Sequence, residues 1–94
     1  MKSKELELIK IKQIIRFVRD KIFIEINETE IKIFNRENEL KKPVVISNSD
    51  LYFQKAKEMQ EENTEITLEN ALYFLLSDYC PKEVKYINAL KSRI

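Results

Sequence analysis

The chain predicts an α+β domain: an N-terminal helix, a three-stranded antiparallel sheet and then three helices, in the order αβββααα, with residues 1–94 as one unit. Three observations carry this reading. Alternating Ile runs flank Asn27-Glu28-Thr29-Glu30, as the two arms of a β-hairpin would. Apolar residues recur at helical spacing before and after that segment. No internal repeat and no linker rich in Pro, Gly or Ser divides the chain.

Residues 4–20 form the first helix, because Leu8, Ile11, Ile15, Val18 and Ile22 recur at alternating spacings of three and four while Lys10, Lys12, Arg16 and Arg19 fall elsewhere. Leu6, Ile9 and Phe17 spill onto other faces, and the alternation at Glu5-Leu6-Glu7-Leu8 leaves the helix start open. Residues 21–36 form the hairpin, with Glu28 and Thr29 at its tip. That register sets Phe23 opposite Phe34, Ile24 opposite Ile33, Glu25 opposite Lys32 and Ile26 opposite Ile31, so every pair is chemically matched. A slip of one residue would turn the Ile face outward.

Residues 43–47 supply the third strand, with Pro43 confined to its first position because proline has no N–H for a ladder. Asn48-Ser49-Asp50 reads as the start of a second helix, 50–62, with a narrow stripe of Tyr52, Ala56 and Met59. Thr64 or Thr67 opens the third helix, 68–79, whose wide apolar face of Leu68, Ala71, Leu72, Leu75, Leu76 and Tyr79 is extended by Tyr73 and Phe74. Such breadth implies burial on more than one side. Cys80-Pro81 interrupts the pattern, and Pro81 suits the first turn of a last helix, 82–92, carrying Val84, Ile87, Leu90 and, near its end, Ile94.

Composition excludes more chemistry than it proposes. The chain has no Gly and no His, and a single Cys. Phosphate-cradling loops, dinucleotide fingerprints, nucleophile elbows and EF-hand loops need Gly where a side chain would clash or φ must be positive. Without His there is no Ser-His-Asp or Cys-His dyad, no zinc finger and no HExxH site. Cys80 has no partner for an internal disulfide and reads as a half-buried residue at a helix junction. The expectation is a non-enzymatic protein with no cofactor. No apolar run reaches membrane-spanning length, which predicts a soluble, cytoplasmic chain. Residue usage leans on Phe, Tyr, Met, Ile, Asn and Lys over Gly, Ala, Arg and Pro, which suggests an AT-rich coding genome, bacterial, archaeal or that of a virus infecting either, with a mobile element or virus among the expected sources.

The net charge of +1 argues against a dominant electrostatic task, but charge is unevenly spread. Residues 1–46 carry +3, residues 47–80 carry −5 and residues 81–94 carry +3. If the termini pack together, they make a mildly basic face opposite an acidic one.

Several constellations merit weighing. Phe23 and Phe34, with Glu25 and Lys32, lie on the sheet face opposite the Ile face. Aromatic side chains in that setting anchor protein partners or stack nucleic-acid bases, unless a helix covers them. Together with Tyr73 and Phe74 on the third helix, they form the expected interaction surface for another protein. Lys10, Lys12, Arg16 and Arg19 on the first helix, with Lys85, Lys91 and Arg93 near the C-terminus, form the alternative, a nucleic-acid-binding surface that tracks phosphates. The stripe of the first helix and the wide face of the third serve equally as the seam of a homodimer or as core within one chain.

Asp20 followed by Glu30-Ile31-Lys32 resembles the acidic residue and Glu-x-Lys of PD-(D/E)xK nucleases, whose core also begins α-β-β-β-α. The resemblance covers these three residues and the topology, with no Pro before Asp20, and implies Mg²⁺-dependent water activation. The competing reading is an ion pair on a solvated face. The same topology is similar to that of double-stranded RNA-binding domains, with Lys55-Ala56-Lys57 on the helix after the third strand. The chain departs from that family in having Asp50-Leu51-Tyr52 where a Lys cluster would begin that helix.

Overall fold

The structure is a computed structural model and describes residues 4–38, 41–47, 49–80 and 84–92. Its elements run α1 (Lys4–Lys21), β1 (Ile22–Ile26), β2 (Ile31–Asn35), β3 (Val44–Ile46), α2 (Asp50–Glu62), α3 (Leu68–Leu75), a 3-10 turn (Leu76–Tyr79) and α4 (Val84–Lys91). The α+β order expected from the sequence is the one found. The strands form one antiparallel sheet in the order β1-β2-β3.

In α1, Ile11, Ile14, Ile15 and Val18 are buried, the spacing of one helical face. The chain passes from Lys21 straight into β1, so Ile22 belongs to the buried helical stripe and is also the first inward residue of the strand. The hairpin register pairs Phe23 with Phe34, Ile24 with Ile33, Glu25 with Lys32 and Ile26 with Ile31, as expected. β3 pairs with β2 through Ile31 with Ile46, Lys32 with Val45 and Ile33 with Val44.

In a chain without glycine, positive-φ turns are costly, and no described residue has positive φ. Asparagine does the work that glycine does elsewhere. At the hairpin tip the Asn27 side-chain oxygen accepts from the N–H groups of Thr29 and Glu30 at 3.0 and 2.8 Å, and the Asn27 N–H donates to the Glu30 carbonyl at 3.1 Å. After β2 the Asn35 oxygen accepts from Glu37 and Asn38 N–H at 2.8 and 3.1 Å. Both are Asx turns, in which the side chain substitutes for a backbone carbonyl.

One core holds the fold. The inward Ile22, Ile24, Ile31 and Ile33 of the sheet meet the α1 stripe, Ile66, Ala71, Leu72 and Leu76, and Ile87 of α4. In α2 only Ala56 is fully buried, with Tyr52 and Met59 packed at the core edge, consistent with a narrow stripe.

Two local expectations, the extent of the third helix and the burial of Cys80, need correction. The third helix does not stay α-helical to residue 79: it tightens into the 3-10 turn at Leu76, just ahead of Cys80-Pro81, and a residue before proline is pushed out of the helical region. The start of α2 at Asp50 is as expected, with Ser49 at the cap position; Ser49 has helical φ/ψ, and its buried hydroxyl has no hydrogen-bond partner among the described residues. At α3, by contrast, Thr67 is extended and its side chain accepts from Asn70 N–H at 3.1 Å. Cys80 is buried rather than half-buried. The start of the last helix at Pro81 lies outside the described residues, as does Ile94.

Candidate interaction surfaces

Successive strand residues alternate faces, so the register that buries the Ile residues puts Phe23, Phe34, Glu25, Lys32 and Val45 on the other side of the sheet. Phe23 and Phe34 are partly exposed and neither packs against the core. Their rings stack with centroids 4.7 Å apart and planes 9° from parallel. The Arg36 guanidinium lies 5.2 Å from the Phe23 ring centroid, while its Nε donates to the Ile22 carbonyl at 3.1 Å. Beside the rings lies a cleft of about 240 Å³ lined by Phe23, Phe34, Asn35 and Lys41, all from sheet and loop. No described helix residue lines it. The helices gather on the Ile side, leaving an aromatic pair with two cations on the open face.

Tyr73 does not belong to this surface, contrary to the sequence expectation. It is 2% exposed, its hydroxyl accepts from the Ile24 N–H at 3.1 Å, and its ring lies under the Arg19 guanidinium at 4.9 Å. The wide apolar face of α3 includes Tyr73 because β1 is an edge strand whose outward N–H needs an acceptor. Phe74 is partly exposed, but it packs against the core and lies 4.8 Å beneath the Lys91 ammonium. The expected pair of aromatic surfaces thus reduces to Phe23 and Phe34.

The basic set is also redistributed. Lys12, Arg16 and Arg19 follow one line along α1 and border a groove of about 370 Å³ with Ile15, Asp20, Glu65, Ile66 and Asn70. Two of the three are engaged within the chain. Lys12 pairs with Glu65 at 3.2 Å, and Arg19 donates to Asn70 at 2.7 Å and stands 3.9 Å from Glu69. The acidic middle of the chain therefore meets the basic first helix, and the two do not form opposite faces. Arg16 makes no ion pair among the described residues. Lys10 lies outside this line, and Lys85 is exposed on α4. Lys91 is partly buried and donates to the Ser77 hydroxyl at 2.6 Å. Burial holds its ammonium below the usual lysine range, against the opposing pull of Asp78. Arg93 lies outside the described residues.

No family model matches this chain, and no curated protein or solved structure does either. The reading of the surfaces therefore rests on their own geometry.

Asp20 lines the α1 groove, whereas Glu30 and Lys32 belong to the far end of the hairpin, with β1 between. At about 3.3 Å per strand residue that is a separation of roughly 15–20 Å. Glu30 and Lys32 stand 4.0 Å apart, and Glu30 also accepts from the Asn27 amide at 3.1 Å, which makes them part of the hairpin-tip network. Among the described residues no three His, Cys, Asp or Glu side chains gather as a metal site would require. The dimer stripes of the first and third helices are also accounted for: Ile11, Ile15, Val18, Ala71 and Leu72 pack on one another within one core. No helix among the described residues is long and apolar enough to cross a membrane.

Proposed function

We propose that this chain is a small non-enzymatic binding module, a regulator, inhibitor or adaptor that covers a site on another protein with the outer face of its sheet. The observation that carries this reading is the Phe23–Phe34 stack, partly exposed on a face that no described helix covers. Aromatic side chains beside an arginine are the side-chain types that dominate protein interfaces, since they bring large apolar area at little rotamer cost.

The ring geometry favours a protein partner over a nucleic acid. Base stacking uses an open ring face, and one face of the Phe23 ring is taken by Phe34 and the ring is further covered by Arg36. The alternative, a nucleic-acid-binding regulator, is favoured by Arg16 in the α1 groove, which makes no ion pair among the described residues, but Lys12 and Arg19 beside it are engaged with Glu65, Asn70 and Glu69.

Affinity capture from a lysate with the wild-type chain, Phe23→Ala/Phe34→Ala and Arg16→Glu/Arg19→Glu tests both readings. Loss of a captured protein in the first variant alone supports the protein-binding face. Labelled DNA or RNA that binds at about 50 mM salt, collapses at about 200 mM and is lost in the second variant would overturn it in favour of the alternative.

A further inference from the structure

β3 borders β2 on one side, and no described strand pairs with its other side. The ladder shows which backbone groups face that open edge. Asn27 N–H donates to the Glu30 carbonyl and Arg36 N–H to the Lys21 carbonyl, so odd-numbered residues of β1 exchange hydrogen bonds with even-numbered residues of β2. Ile31 and Ile33 of β2 then turn toward β3, where they pair with Ile46 and Val44. Val45, between them, directs its N–H and carbonyl outward.

The side chains along this edge are apolar. Val44 and Val45 are 41% and 48% exposed. An uncovered strand edge with exposed β-branched residues is a template for another strand.

We propose that β3 pairs with β3 of a second copy of this chain, antiparallel about a two-fold axis at Val45, joining the two sheets into one. Three features select a second copy. At the axis, Val45 exchanges both of its outward hydrogen bonds with the second copy's Val45, and Val44 faces the second copy's Ile46, so every cross-strand pair within Val44–Ile46 is β-branched and apolar. Pro43, which has no N–H, falls opposite the second copy's Ser47, where its carbonyl still accepts and only the Ser47 carbonyl goes without a donor. Charge is self-complementary: exposed Lys41 and Lys42 precede the strand and exposed Asp50 follows it, so antiparallel pairing brings the lysines of each copy toward the acid of the other. This interface is separate from the Phe23–Phe34 pair. The joined sheet presents two such pairs on one face.

Sedimentation equilibrium of the full chain, at concentrations up to about 1 mM, tests the proposal. The expected result is a mass that rises from 11.3 kDa toward twice that value. Val45→Pro removes the outward N–H, and Val45→Lys sets two like charges across the axis. Neither touches a hydrogen bond to β2, so both are expected to keep the wild-type circular dichroism spectrum and the single-chain mass. If Val45→Pro fails to fold, Val45→Lys decides. Lys42→Glu weakens association by up to about tenfold, and adding Asp50→Lys to the same chain restores it. A dimer that survives Val45→Lys overturns the proposal. A single-chain mass at every concentration also overturns it, and leaves the edge to an extended segment of a different protein.

Discussion

The Tyr73 hydroxyl closes one edge of the sheet by accepting the Ile24 backbone N–H at 3.1 Å. The same edge is covered further along by Arg36, whose Nε donates to the Ile22 carbonyl. β1 is thus an edge strand with two outward groups, the Ile24 N–H and the Ile22 carbonyl, engaged by side chains from α3 and from the loop after β2. The sheet's two edges are unequal: side chains engage two groups of β1, whereas no described strand pairs with the outer side of β3.

Tyr73→Phe keeps the ring and its contact with Arg19 but leaves the Ile24 N–H buried without an acceptor. The expected cost is about 1–3 kcal/mol, read from urea unfolding, with faster amide exchange at Ile24. Unchanged stability would mean that water reaches that N–H and the hydroxyl is dispensable.

The Phe23–Phe34 stack contributes little to the core, so Phe23→Ala and Phe34→Ala should both fold. A double-mutant cycle is expected to give a coupling of about 0.5–1.5 kcal/mol between the rings. That result licenses the double variant as a probe of binding, since loss of a partner then reflects the surface and not unfolding.

The two helix starts predict opposite outcomes for the same kind of substitution. Thr67→Ala removes a side-chain acceptor for Asn70 N–H and should cost about 1 kcal/mol. Ser49→Ala removes a buried hydroxyl that has no hydrogen-bond partner among the described residues and should be neutral or stabilising. Thermal melts of the two variants side by side check both.

Stability should have a maximum on the alkaline side. Burial lowers the Lys91 pKa from its ordinary 10.5, so the unfolded chain binds that proton more tightly and stability rises with pH on the approach to that value. Burial raises the Tyr52 pKa above its ordinary 10.0, aided by its hydrogen bond with Tyr79 and the charge of Asp78. The folded chain then holds the tyrosine proton longer, and stability falls as pH rises past 10.0. Urea midpoints between about pH 7 and about pH 11 should show both limbs, with Lys91→Met flattening the rise and Tyr52→Phe the fall.

The sequence by itself determined the elements whose cause is local. Ile24 and Ile26 against Ile33 and Ile31 specify the face of the hairpin, because a slip of one residue would turn all four to the other side of the sheet. Leu8 to Ile22 specify α1 through its stripe, and Pro43 and Pro81 mark the places where a ladder or a helix has to begin or break. What only the tertiary structure decided depends on which elements meet. Tyr73 turned inward because an edge-strand N–H lay within reach of α3, a need that no spacing within residues 68–79 reveals. Lys12 and Arg19 were engaged by Glu65 and Glu69, which lie some fifty residues away in the chain, so a basic helix in sequence is a part-neutralised groove in space. Phe23 and Phe34 stayed on the open face because all the helices settled on the Ile side, where apolar area was greatest, and burial is proportional to apolar area and indifferent to sequence order.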